Sequence, residues 1–162
     1  MPIIDFSDNI NIARKYVEEE GHPLNILTEE NKKLEILCMN MIQVLCEGEM
    51  SYVTEVFNRG DIDIIRKHYQ VKNDYIYIPL KEKYGVIGPA DFMSVDDKEV
   101  LSMYHELVKE EKRDDEWFGK VLIFAERVVK IINKEKNILF SAVVRNFNED
   151  DYQRLLQGIK SA

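Results

Sequence analysis

Apolar residues recur at intervals of three and four along most of the chain, which is the spacing of one face of an α-helix. The first long segment with this pattern, helix A, covers residues 22–48 and begins with Pro at the favoured first position. A short helix at residues 51–58 follows. Helix B extends from about residue 61 to residue 80, and Pro79 is expected to end or kink it.

Two further long helices follow a predicted loop at residues 83–89. Helix C is expected to begin at Asp96 or Asp97, because a short acidic side chain is a good helix N-cap. Helix D covers residues 116–144 and is the most apolar segment of the chain. Four main helices joined by short connections favour an all-α fold, an up-down-up-down four-helix bundle.

Shorter helices are expected at both ends of this bundle. The N-terminal helix covers residues 8–20 with Asp8 as its N-cap, and the C-terminal helix covers residues 149–160 after a sequence typical of a capping box. The length of 162 residues is that of a single domain, 1–162, with its core at residues 21–145.

Composition excludes several classes of protein. The net charge is -8, from 22 Lys and Arg against 30 Asp and Glu, which argues against a nucleic-acid partner. We expect no secretory signal and no membrane span, because the N-terminus lacks a signal pattern and no run of 18 apolar residues exists. Cys38 and Cys46 would lie ~12 Å apart on one helix, too far for a disulfide, so we expect reduced core thiols and a cytoplasmic protein.

A weak internal repeat links helices B and D. Residues 72–79 align with residues 134–141 at an offset of 62. The alignment predicts that two helical hairpins, A–B and C–D, are related by a pseudo-two-fold axis. A chance match between two apolar helix ends is the alternative.

Three polar residues fall within or beside apolar stripes. Glu30 lies in the stripe of helix A, Glu135 in that of helix D, and His68 on helix B. A buried carboxylate needs a partner, and Glu and His on facing helices commonly surround a metal ion. The alternative is that the two carboxylates lie at the stripe edge or are held by Lys72, Arg127 or a tyrosine hydroxyl.

Five segments, in their order along the chain, resemble the hemerythrin-like (HHE cation-binding) family, and in particular its bacterial and archaeal branch often found beside PAS sensor domains. The resemblance covers roughly residues 21–158. The segments are His22-Pro23 with Glu29-Glu30-Asn31, then His68-Tyr69 with Lys72-Asn73-Asp74 and Pro79, then Gly88-Pro89 and Met93, then residues 134–140, then residues 148–152.

The resemblance implies a four-helix bundle that holds a non-haem di-iron centre. The family serves in O₂ transport, in sensing of O₂, NO or redox state, or in iron handling. Its metal site takes about five His and two bridging carboxylates. This chain has three His in all, so the complete ligand set is impossible here.

Residue-by-residue matching leaves a reduced set of metal ligands. His22 matches the ligand on helix A, His68 matches the first ligand on helix B, and Glu135 keeps the carboxylate of helix D. The ligand at the start of helix C corresponds to Asp96 or Asp97. This set would suit one Fe or Zn ion, and it is equally consistent with a site that binds nothing.

Other positions depart from the family pattern. Asn73 replaces a carboxylate of helix B, and Glu30 lies about 12 Å below His22, so both are expected beside the ligands rather than on the ion. Lys130 stands at the counterpart of His68. His105 would lie on the opposite face of helix C and is expected on the surface.

Two functions therefore remain open. One is a metal-binding or sensory module with a reduced iron site, whose small ligand would be O₂ or NO. The other is a metal-free descendant that keeps the bundle as an interaction domain. An enzyme is less favoured, because no phosphate-binding loop, zinc-protease motif or catalytic-triad context is present.

Overall fold

Helices joined by short connections make up the fold between residues 6 and 162, the part of the chain that the computed structural model describes; side chains are described from Asp8 onward. No strand occurs in this range. The helices are α1 (Phe6–Glu18), α2 (Pro23–Cys46), α3 (Ser51–Arg59), α4 (Ile64–Lys72), α5 (Ile78–Glu82), α6 (Gly88–Lys109), α7 (Asp115–Lys134), α8 (Phe140–Asn146) and α9 (Glu149–Ser161), with a 3₁₀ turn at Asp61–Asp63. The all-α prediction is confirmed.

Two of the long helices contain a wide turn. A π-helical segment at Asn73–Tyr77 joins α4 to α5, and a second one at Glu135–Leu139 joins α7 to α8. Helix B therefore continues past Pro79 to Glu82. Pro79 lies in the first turn after the wide segment, where its missing N–H costs least.

The two π segments begin 62 residues apart, which is the offset of the internal alignment. In each segment the amide that closes the turn donates to a carbonyl five residues earlier, Ile78 to Asn73 and Phe140 to Glu135. π-Helical turns are rare. Two of them at matching positions support the alignment of helices B and D against chance.

Two predicted helix starts are wrong. Helix C begins at Gly88 and not at Asp96 or Asp97, which lie within it. Pro89 has the backbone φ of a helix and lacks an N–H that would go unpaired there, so Gly88-Pro89 opens the helix. Asp8 lies in the first turn of α1 rather than at its N-cap, because the helix already begins at Phe6. The capping box of α9 is confirmed, since Asn148 and Asp151 exchange side-chain to backbone hydrogen bonds.

The core consists of two apolar clusters with polar side chains between them. Helix α2 packs on α7, α7 packs on α6, and α4 packs on both α2 and α6. On three helices, the apolar side chains on one side of a polar residue belong to one cluster, and those on its other side belong to the second cluster. The series are Leu27–Asn31–Leu34 on α2, Met93–Asp97–Val100 on α6, and Ile132–Glu135–Leu139 at the end of α7. We call the six residues Glu30, Asn31, His68, Lys72, Asp97 and Glu135 the charged layer.

Burial follows the predicted stripes with few exceptions. On helix D the apolar residues at helical spacing are all buried, namely Val121, Ala125, Val128, Ile132 and Leu139. Cys38 and Cys46 are both free thiols, as expected, but only Cys38 is in the core, because Cys46 ends α2 on the exposed side. Within the described range, every helix is too short or too polar to cross a lipid bilayer.

Candidate functional site

His68 is the centre of the charged layer. Its side chain is fully buried, and both ring nitrogens contact carboxylates. Nδ1 lies 2.8 Å from Glu30 Oε1, and Nε2 lies 3.0 Å from Glu135 Oε1. Two carboxylate partners require two N–H donors, so this geometry is that of a protonated imidazolium.

Lys72 is the second cation of the layer, one helical turn after His68. Its Nζ lies 2.9 Å from Asp97 Oδ2 and 3.2 Å from Glu135 Oε2. The ammonium also lies over the ring of Tyr69, 4.3 Å from its centroid, where a cation–π contact adds to the ion pairs. The side chains of Lys72 and Glu135 have no exposed surface.

The pKa values within the layer follow from these contacts. Burial alone would lower the pKa of His68, but the charge of Glu135 and hydrogen bonds to Glu135 and Glu30 raise it above 6.5. Burial would likewise raise the pKa of Glu135, but Lys72 and His68 lower it far below its ordinary range. Burial opposes a charged Lys72, and Asp97 with Glu135 nevertheless raises its pKa. Lys72 and Glu135 are therefore ionised at neutral pH, and the contacts of His68 favour its protonated form.

Asp97 is the carboxylate whose burial is least offset by neighbouring charges and hydrogen bonds in the layer. Burial raises its pKa above the ordinary value, although Lys72 opposes that shift. Its Oδ2 accepts hydrogen bonds from Lys72 and, at 2.9 Å, from the Tyr77 hydroxyl. Its Oδ1 is buried and has no hydrogen-bond partner.

Of the four predicted metal ligands, only His68 and Glu135 contact each other. The other two, His22 and Asp96, lie elsewhere and have other hydrogen-bond partners. His22 caps α2, where its Nδ1 accepts from the Leu24 amide at 3.1 Å, and its ring stacks on Tyr16 with centroids 4.2 Å apart. Asp96 accepts from Lys134 at 2.9 Å on the surface. Of the two acids left open for helix C, only Asp97 joins the layer.

Glu30 and Asn73, the two residues expected beside the ligands, also lie in different environments. Glu30 contacts His68 directly and belongs to the layer. Asn73 is half-buried, and its amide donates to Asp74 at 3.1 Å. His105 is exposed, as predicted. The sequence pattern predicts Lys72 only as an alternative partner of Glu135, and it does not distinguish Asp97 from Asp96 as the acid of helix C.

A signal for both missed residues exists in the hydrophobic pattern. Lys72 lies three residues after Tyr69 and four before Ile76, and Asp97 lies four after Met93 and three before Val100. All four of these neighbours are buried. A cation and an anion in facing apolar stripes of neighbouring helices predict a buried ion pair.

The charged layer in this arrangement does not fit a metal ion. A ligating imidazole must offer a lone pair, and both nitrogens of His68 are directed at carboxylates. The ammonium of Lys72 already lies between Asp97 and Glu135, where it would repel a divalent cation. Among residues 8–162, no three His, Cys, Asp or Glu side chains are grouped as metal ligands. Iron or zinc binding stays a prediction from the family resemblance.

The contacts within the layer are ion pairs and charge-assisted hydrogen bonds, and Glu135 faces both His68 and Lys72. Comparison of the chain with protein-family models, with curated proteins and with solved structures finds no match in any of the three.

Proposed function

We propose that this chain is a metal-free helical-bundle interaction domain of hemerythrin-like ancestry, in which Lys72 supplies the interior positive charge. The observation that carries the proposal is the position of the Lys72 ammonium, fully buried between Asp97 and Glu135. A lysine there supplies a permanent cation without a metal, and its carboxylate partners are the kind of residue that holds iron in the family.

The bundle itself is part of the proposal. Four long helical runs, residues 23–46, 64–82, 88–109 and 115–146, supply the charged layer, and each packs on at least one of the others. The repeated π segments support a hairpin duplication. An up-down-up-down arrangement accounts for both features, because it places the ends of helices B and D at equivalent levels.

The surface gives a reason to favour an interaction domain. Three large apolar side chains near the start of α6 are mostly exposed: Ile87 at 59%, Phe92 at 79% and Val95 at 55%. Phe92 and Val95 are three residues apart and share one helix face. Exposed apolar patches mark sites of protein contact.

Metal analysis tests the proposal directly. The chain is produced in iron-supplemented medium, purified without chelator, and its iron and zinc are measured by mass spectrometry. We expect far less than one metal ion per chain. One or more ions per wild-type chain, lost in His68→Ala, would overturn the proposal and establish the alternative, a reduced iron site.

A variant with a positive readout sharpens this test. Lys72→Ala removes the ammonium that lies between Asp97 and Glu135. Zn²⁺ entering this space can displace the Nε2 proton of His68, and the imidazole then completes a set of three ligands. We expect this variant to gain about one Zn²⁺ per chain, with helicity retained by circular dichroism. Lys134→Ala is the matched control, because Lys134 is the repeat counterpart of Lys72 but pairs with Asp96 on the surface. It should gain none.

A further inference from the structure

A cavity of about 330 Å³ lies between helix B and α6, next to the charged layer. Tyr69, Tyr77 and Leu101 provide most of its apolar wall, and Asp97 lines it from α6. The volume is at the lower end of the range for small-molecule sites. The cavity therefore has room for a compact organic molecule rather than for a metal ion alone.

Two buried polar atoms that lack partners belong to side chains of this wall. They are the Tyr69 hydroxyl and Asp97 Oδ1. Tyr69 is 3% exposed and Asp97 is 5% exposed. Buried polar atoms in folded proteins nearly always have a hydrogen-bond partner. Two without one along a single cavity indicate a bound group that donates hydrogen bonds to both.

The charge of the layer favours a cationic group over a neutral one. The layer contains three carboxyl side chains, Glu30, Glu135 and Asp97, and only two basic side chains, His68 and Lys72. The acidic groups therefore outnumber the basic groups by one, and Asp97 is the member of the layer with a buried carboxylate oxygen that lacks a partner. A cation in the cavity would pair with this oxygen, which is buried and therefore little screened by solvent.

The cationic side chains at the cavity rim do not offset this preference. Arg66 is already held by Asp63 at 2.5 Å. Lys98 and His105 are exposed, so water and salt screen their charges more strongly than those of the buried layer.

We propose that the cavity between helix B and α6 binds a small primary amine with an apolar body, whose ammonium group donates hydrogen bonds to Asp97 Oδ1 and to the Tyr69 hydroxyl. The faces of Tyr69 and Tyr77 suit a cation and its hydrocarbon chain. The site stands on this chain's own contacts and does not depend on the proposed hemerythrin-like ancestry.

Titration with 2-phenylethylamine, followed by amide NMR shifts of the full-length protein, tests the site. We expect saturable shifts around Tyr69, Asp97 and Leu101. 2-Phenylethanol, which has the same body without the charge, should bind about tenfold more weakly or worse, in line with a charge-assisted hydrogen bond. Equal affinity for amine and alcohol, or no shift with the amine, would overturn the proposal.

Three variants locate the amine. Asp97→Asn should weaken amine binding about tenfold, because it removes the charge at nearly constant shape. Leu101→Trp leaves the acid in place and should abolish binding by filling the cavity, which keeps the test open if Asp97→Asn is poorly folded. Asp96→Asn, a change to the neighbouring surface acid, should leave the affinity unchanged. Binding that survives both Asp97→Asn and Leu101→Trp would reject this site.

Discussion

The resemblance to the hemerythrin-like family predicts a ligand role for both His22 and His68, yet the two side chains lie in opposite kinds of environment. His68 lies in the charged layer, and its two nitrogens contact Glu30 and Glu135. His22 is half-buried at the start of α2, where it accepts one hydrogen bond from Leu24 N–H. Neighbouring charge raises the pKa of the first, whereas burial lowers that of the second, although Glu19 and Glu149 oppose the shift.

The difference shows that a histidine's position in a motif does not determine its chemistry. His68 is a donor in an ion network, and each of its two ring nitrogens faces a different carboxylate. His22 is a neutral acceptor, and its ring lies between those of Tyr16 and Tyr152, with centroids at 4.2 and 4.9 Å. One residue carries charge inside the core, and the other closes a helix end.

The largest expected effect comes from breaking the ion network. Lys72→Met keeps the length of the side chain but leaves Asp97 and Glu135 without their shared cation. Removing one partner of a buried ion pair costs about 3–5 kcal/mol. Urea unfolding should show a loss of that order in the free energy of unfolding.

The control for this variant is Lys134→Met. Lys134 pairs with Asp96 at the surface, with about half of its side chain exposed, so its loss should cost under about 1 kcal/mol. A Lys72→Met protein as stable as this control would show that the layer is not held by charge.

The second effect is a pair of opposite pH dependences. The pKa of His68 is raised on folding, so its stabilising contribution is full below about pH 6.5 and is lost as pH rises through the raised value. The pKa of His22 is lowered, so its contribution is full above about pH 6.5 and is lost as pH falls. His68 therefore stabilises the fold most at low pH, and His22 stabilises it most at high pH.

Unfolding free energies of wild type, His68→Gln and His22→Asn from pH 5 to 8 separate the two. The advantage of wild type over His68→Gln should shrink above pH 6.5, with a slope of at most about 1.4 kcal/mol per pH unit. The advantage over His22→Asn should shrink below pH 6.5 and less steeply, since His22 is only half-buried. The same sign of slope for both variants would contradict the assigned environments.

The sequence pattern predicted the helices and most of their buried faces, but not which polar residues meet. On α6, Asp96 and Asp97 are adjacent in sequence and about 100° apart around the helix. One pairs with Lys134 outside and the other with Lys72 inside. A one-residue uncertainty in alignment therefore exchanges a surface acid for a core acid. The late start expected for helix C has a different cause. A Gly-Pro pair is typical of a loop, and the sequence does not show that Gly88-Pro89 forms the first turn of the helix.

The internal alignment carried more information than its low identity suggested. The two aligned segments, residues 72–79 and 134–141, each contain a π segment, although no π helix was predicted. The alignment also paired Lys72 with Lys134, and these two lysines hold neighbouring acids of α6. What it could not give is which lysine lies inside, because that depends on how far each helix face turns towards its neighbour.

The smallest expected effect is at the start of α2 and isolates the capping role of His22. Substitution of a capping side chain by Ala typically costs about 1 kcal/mol, and the ring contacts with Tyr16 and Tyr152 add to this loss. His22→Ala should therefore lower the free energy of unfolding by about 1–2 kcal/mol.

Asn is among the best N-cap residues, so His22→Asn should recover the part of this loss due to the Leu24 N–H and not the part due to the rings. The comparison is best made at pH 8, where His22 is neutral. If His22→Asn were no more stable than His22→Ala, the imidazole would act through its ring contacts alone. If His22→Ala lowered the free energy of unfolding as much as Lys72→Met does, His22 would belong to the interior charge network, as His68 does.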